Sequence, residues 1–246
     1  MTVTLTALAD IGEVEPGDDL AGILGAALGA LPAATALAVS QKVVSKAEGR
    51  YRDLAAVTVS PRAAELAALT RKDPRLVELI LCESAEVLRA RPDILIVRHR
   101  LGYVMANAGI DRSNVGGKER VLLLPRDPDG SAVMLRTTLM ERFGFDIAVI
   151  ICDSFGRPWR KGVTNVALGA AGLPALLDRR GERDRNGRRL EVTEVALADQ
   201  LASAAGLLMG EGAEGLPAVA ISGIAWSAPP APARSLIRPL EEDLFR

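Results

Sequence analysis

The chain has 246 residues, 49% of them hydrophobic, enough to bury a core as one large domain or two intimate ones. Its 30 basic and 31 acidic residues nearly cancel at net −1, which excludes a general polyanion-binding surface and points to small-molecule partners rather than nucleic acid. Two distant cysteines, Cys82 and Cys152, exclude a disulfide framework and a thiolate zinc cluster, and a single histidine, His99, excludes a two-histidine metal site.

Residues 1–20 have no basic segment and meet acids before any long apolar run, so they do not read as a secretory signal. No stretch of about 18 uncharged apolar residues follows, so no membrane span is predicted and the chain is expected in the cytoplasm. Residues 2–8 alternate as a half-buried strand does. Pro16-Gly17-Asp18-Asp19 then supplies a turn and a cap for a helix over roughly 19–30. Residues 36–39 read as a buried strand, and 40–46 as a polar loop edge carrying Lys42 and Lys46. Ser60-Pro61 and Asp73-Pro74 each open a helix with a capping residue and proline at the first helical position. The apolar stripe of the second runs to about Arg89 and places Cys82 on its core face. Residues 94–97 and 103–105 look like paired strands turning near Leu101-Gly102, with His99 structural or at an edge.

Ser131 is predicted to cap a helix ending at Gly144, and 147–152 to form a short buried strand that halts at Asp153. Residues 155–189 show little periodicity and much Gly and Arg, a stretch longer than an idle loop should be. Thr193 caps a helix over about 194–209, residues 216–222 form a final strand, and the Pro-rich 228–234 is a surface tail. Helices and strands alternate irregularly, which predicts an α+β fold of mixed sheets with packed helices rather than a doubly wound one.

Gly210-x-Gly212-x-x-Gly215 spells a dinucleotide fingerprint, but it follows a predicted helix instead of a strand, so a Rossmann reading fails. What remains is a glycine loop whose N–H groups can approach phosphates, with Glu211 placed to take a metal; a plain helix C-cap is the alternative. In the turn from Asn107 to Val115, Asp111 and Asn114 stand three apart and offer oxygen donors suited to Mg²⁺ or Mn²⁺; an Asx-turn without ligand is the alternative. Asp153 and Ser154 side by side can hold a hard metal, while Arg157, Arg160 and Lys161 neutralise phosphate oxygens. Here the alternative is a solvated basic loop over a packed Trp159. Lys42 and Lys46 can reach a phosphate chain or simply be surface lysines. The arginines between 179 and 189 lie beside Asp178, Glu182 and Asp184 and read as an ion-paired surface. From these residues alone, Asp111, Asp153 and Glu211 fall at the ends of core elements. That pattern indicates a metal-dependent, phosphate-handling enzyme of unstated substrate.

Several motifs in order carry a resemblance: Gly17-Asp18-Asp19-Leu20, Val43 to Arg50, Asn107 to Val115, Leu124 to Asp129, Asp153 to Arg160, and the ending Arg238-Pro239 with Asp243-Leu244-Phe245. Together they resemble the coenzyme F420-0:L-glutamate ligase (gamma-glutamyl ligase) family over essentially the whole chain. The resemblance implies an intertwined homodimer in which residues 1–246 form a single catalytic unit, without the C-terminal flavin-binding domain of some relatives. It implies amide-bond formation between L-glutamate and coenzyme F420-0 with GTP, two Mg²⁺ or Mn²⁺ ions and K⁺, through an acyl phosphate. It also implies a first metal on Asp111 and Asp153 and a second on Ser154 and Glu211. GTP would touch Ile11, Gly12, Glu13, Val14, Gln41, Lys42, Lys46 and Asn114, together with Met209, Gly210, Glu211, Gly212, Ala213, Glu214, Gly215 and Leu216. Lys42, Lys46 and Asp153 would serve catalysis. Three positions depart from the pattern: Ser154 replaces a usual threonine, Asn165 a frequent aspartate, and Pro32-Ala33-Ala34-Thr35 a usual Asp-Gly-Asp run.

Overall fold

The computed structural model describes residues 2–29 and 34–243; Pro32-Ala33 and Leu244-Phe245 of the motifs lie outside the described residues, as does the predicted helix end at residue 30. In chain order the first elements are β1 (Thr4–Ala7), α1 (Leu20–Leu28), β2 (Ala36–Ser40), α2 (Gln41–Ala47) and β3 (Tyr51–Asp53). Then come α3 (Pro61–Thr70), α4 (Pro74–Cys82), β4 (Ser84–Arg91), β5 (Ile94–His99), β6 (Val104–Ala106) and β7 (Arg120–Leu122). The last are α5 (Pro128–Phe143), β8 (Ala148–Arg157), β9 (Arg160–Ala171), β10 (Leu177–Asp178), β11 (Glu194–Val195), α6 (Leu197–Met209) and β12 (Ala218–Ser222). The fold is α+β with mixed sheets, as expected.

A five-stranded sheet in the order β1-β12-β2-β8-β9 forms the main body. Only β2 and β8 run parallel within it; the other neighbours are antiparallel. The sheet is covered on both faces, so its central strands are continuous apolar runs. Leu37, Val39, Val149 and Ile151 face a core built with α1, α2 and α5. Ala36, Ala38, Ile150 and Cys152, with Val219 and Ile221 of β12, face a second core under α6. Each large side chain buried this way contributes about 1.5–3 kcal/mol.

Between α2 and α5 the chain leaves the main body to build a second lobe. Its core joins Leu54, Leu66, Val77, Ile80, Val97, Ile110 and Val121 under α3, α4 and the β4-β5-β6 sheet. The two crossings are neighbours: the amide of Leu123 donates to the carbonyl of Arg50 at 3.2 Å. The Arg50 guanidinium donates in turn to the carbonyl of Leu124 at 2.7 Å. A small cluster of Met105, Leu124 and Leu168 seals the seam, with Tyr103 edge-on to Phe155 at 6.2 Å.

Several local expectations change. Residues 40–46 are not a loop edge: Ser40 caps α2, whose Val43 and Val44 are buried. Helix α4 stops at Cys82, and the apolar residues beyond it belong to β4. Cys82 is exposed, not core. Asp127 caps α5, with its carboxylate accepting from the amide of Gly130, while Ser131 is one turn inside and bonded to Glu48. The strand ending at Asp153 instead runs on to Arg157, and the supposedly aperiodic stretch opens with the twelve-residue β9. Thr193 does not cap α6, which begins at Leu197. The Pro-rich tail is tied down, because Asp129 accepts from the amides of Ala233 and Arg234, and Ala233 is buried.

Candidate active site

The parallel pairing of β2 with β8 ends at Ser40 and Cys152, where β2 stops and β8 runs on toward Arg157. At such a switch the chain directions diverge and leave a crevice beyond the strand ends. Lys42, at the start of α2, and Asp153, one residue past Cys152, fall at its rim. A bulge in β9 at Leu168 breaks the register next to this point, since Ile151 pairs with Gly169 but Cys152 with Ala167. Bulges of this kind re-aim neighbouring side chains. Alternation along β8 then turns Cys152 toward α6, where its thiol packs on Met209, and Asp153 toward α2.

Charge is concentrated here. The Lys42 ammonium lies 3.1 Å from the Asp111 carboxylate and 3.1 Å from the Ser113 hydroxyl. That hydroxyl donates to the other oxygen of Asp111 at 3.1 Å. Burial pushes the Asp153 carboxyl up to about 7, with Asp111 and Glu211 adding to the rise while the Ser154 amide and Lys42 oppose it. Lys46 is buried and ion-paired with Glu13, which fixes the 11–14 segment against α2. Gln41, also buried, accepts from the Ser45 hydroxyl at 2.9 Å.

The glycine loop after α6 closes another side. Gly210 and Gly215 both have φ of +68°, which allows the chain to reverse after the helix. Glu214 folds back to accept from the amide of Gly212 at 2.8 Å, leaving Glu211 exposed. The end of the loop is anchored to the crevice, because the Ser40 amide donates to the Pro217 carbonyl at 2.7 Å. Ser154, alternating with Asp153, projects on the α6 side of β8.

The structure therefore brings together Glu13, Lys42, Lys46, Asp111 and Asp153, with the 209–216 loop beside them. Asn114 sits exposed in the adjoining turn with φ of +55°. Arg157, Arg160 and Lys161 are elsewhere, exposed about the two-residue tip of the β8–β9 hairpin, ~13 Å along the strand from Asp153. Trp159 at that tip is 87% exposed rather than packed beneath a loop. Asn165 is buried under α6, its amide 3.8 Å from the Met209 sulfur, so it packs instead of lining the crevice. Sequence reasoning missed Ser113, which the Asp-Arg-Ser-Asn turn showed only as turn chemistry.

All donors at the crevice are oxygens, the set preferred by hard divalent cations. Among the described residues no three His, Cys, Asp or Glu side chains group closely enough to form a metal cluster. The fit rests instead on the pair Asp111 and Asp153, whose negative charge Lys42 only partly offsets. Among the described residues no helix is long and apolar enough to cross a membrane.

Comparison with known proteins identifies the family. The family model described as F420-0:Gamma-glutamyl ligase matches residues 9–223. A relative from Methanopyrus kandleri named coenzyme F420:L-glutamate ligase is 48% identical over 95% of this chain and 94% of its own length. A protein of that name from Methanothermobacter thermautotrophicus is 45% identical over 100% of both chains. A third, from Archaeoglobus fulgidus, is 42% identical over 95% of this chain and 92% of its own. By a match of this extent, the chain belongs to the F420-0:gamma-glutamyl ligase family of enzymes.

Proposed function

We propose that the enzyme joins L-glutamate to coenzyme F420-0 through an amide bond, driven by GTP. The observation that carries this reading is the cluster of Lys42, Asp111 and Asp153 at the end of the parallel pairing, flanked by Lys46 and the glycine loop. In the proposed sequence a carboxylate oxygen of the precursor attacks the γ-phosphorus of GTP. An O–P bond forms, the bridging O–P bond to the β-phosphate breaks, and GDP leaves. The glutamate amine then attacks the acyl carbon, loses a proton and expels inorganic phosphate.

Lys42 and Lys46 neutralise the phosphoryl oxygens as charge spreads over them. Asp111 and Asp153, with Ser154 and Glu211, would hold Mg²⁺ or Mn²⁺, which would supply Lewis-acid stabilisation of the transferring phosphoryl group. Backbone N–H groups of the 210–215 loop suit the nucleotide phosphates. K⁺ and a homodimeric assembly complete the proposal.

Incubation with GTP, Mn²⁺, L-glutamate and F420-0 is expected to release GDP and give a product heavier by one glutamyl unit. Absence of both from a folded preparation would reject the reading. Asp153→Ala is expected to abolish turnover while leaving the circular dichroism spectrum unchanged; wild-type rates would remove the carboxylate from the mechanism.

A further inference from the structure

A second concavity, of about 460 Å³, lies at the seam between the main body and the inserted lobe. Four arginines, Arg50, Arg52, Arg100 and Arg126, line it with Glu83 and His99. Glu83 is the one carboxylate among the described residues of its lining, while Glu48, bonded to the Arg126 amide, bears on Arg50 from outside it. Glu83 accepts from Arg50 at 3.2 Å and from Arg100 at 2.9 Å through the same oxygen. Burial alone would raise its carboxyl, but His99 and Arg100, with Arg50 behind them, hold it at about 2.

A purely structural clamp would need no more than this trio. Arg52 and Arg126 add two further cations without a carboxylate partner among the described residues. Arg52 reaches only the neighbouring Tyr51 carbonyl. Burial, together with the charges of Arg52 and Arg126, weakens the hold of the Arg50 guanidinium on its proton. The Arg50 side chain is only 5% exposed, and its Nε and Nη2 are bonded to the Leu124 carbonyl and to Glu83. His99 leaves a donor without a partner. Its Nδ1 accepts from the Leu101 amide at 3.0 Å, so Nε2 carries the proton. That buried Nε2–H makes no hydrogen bond, standing 3.5 Å from Glu83. Buried donors without acceptors are costly, and like charges gathered in a concavity repel one another until an anion arrives.

We propose that this arginine pocket binds a carboxylate or phosphate group of a polyanionic substrate, holding a part of the molecule that does not react. Planar guanidiniums grip either oxyanion in bidentate fashion, and the volume leaves room for the part of the ligand that carries it. Arg50 lies three residues past the end of α2, the helix that carries Lys42 and Lys46, so pocket and crevice flank the same helix and one extended ligand can address both. The assignment to a substrate of the ligase rests on the function proposed above; anion binding itself does not.

Calorimetric titration with L-glutamate and, separately, with inorganic phosphate tests both. The parent is expected to bind at least one of them, and Arg52→Gln with Arg126→Gln to weaken that binding at least tenfold with melting temperature unchanged. Both side chains reach solvent and neither makes an ion pair, so the fold should persist. Loss for glutamate assigns the pocket to the amino acid; loss for phosphate alone assigns it to a phosphate-bearing acceptor. In turnover, the KM of the assigned substrate is expected to rise tenfold with kcat within twofold and the KM for GTP unchanged. Arg126→Lys is expected to restore phosphate binding better than glutamate binding, because a point charge replaces a fork. The proposal is overturned if the parent binds neither anion, or if the double variant binds both as the parent does. A parent that binds anions through these arginines yet forms no amide would sink the ligase reading and leave the pocket standing.

Discussion

Asp153 in the folded chain keeps its proton up to about pH 7, whereas an unfolded aspartate releases it near pH 4. Between those values the folded state holds more protons, so this residue lowers stability as pH rises through the window. The difference is ~1.4 kcal/mol per pH unit. Asp153→Asn is therefore expected to be more stable than the parent at pH 8 by a few kcal/mol, the gap closing toward pH 4 in denaturant titrations. A gap constant with pH would contradict the electrostatic account. Millimolar Mn²⁺ should raise the melting temperature of the parent and not of Asp153→Asn; equal shifts would place the cation elsewhere. The two lysines and three carboxylates were legible as candidates because each lies beside a turn or strand end. Their partners were not, since Lys42 and Asp111 are far apart in sequence and meet only through the fold.

At the scale of elements, the caps decide where helices start. Asp127→Ala is expected to cost about 1 kcal/mol through loss of the α5 cap, measured as a shift in denaturation midpoint. Helix packing on the sheet is tighter still at Gly169, where a Cβ would stand 2.1 Å from the Pro128 carbonyl oxygen. Gly169→Ala should cost about 1–3 kcal/mol by forcing α5 away from β9; an unchanged midpoint would refute that contact. The capped helices α3 and α4 and the β5–β6 pairing could be read directly, because proline after a capping residue and a tight turn are local signals. Helix α2 escaped because seven residues with paired valines show no helical period. The β4 strand was swallowed by the helix before it, because Val87 and Leu88 extend the apolar stripe without a visible break. Strand β9 escaped because its inward positions are small residues and its bulge interrupts the alternation.

Across the whole molecule, two cores meet at a thin seam where Tyr103 donates its hydroxyl to the Leu168 carbonyl. Tyr103→Phe is expected to cost about 1 kcal/mol and to speed amide hydrogen exchange in β6 and β9 while α3 and α4 exchange as before. Uniform acceleration would mean that the lobes open only by global unfolding. Composition allows a body of one domain or two, but nothing local marks where the inserted lobe begins, because its boundary consists of pairings between residues 50 and 123–124. Those pairings make the lobe a pendant on a short double-stranded stem. Residues could be added to or removed from its interior without moving any strand of the five-stranded sheet, since both stem residues would keep their places. Relatives can thus differ in the size of this appendage only where residues 103–113 keep their places, because Tyr103 and Met105 close the seam and Asp111 and Ser113 reach Lys42, and lobes exchanged between them at the stem should fold on the foreign sheet only with that edge intact.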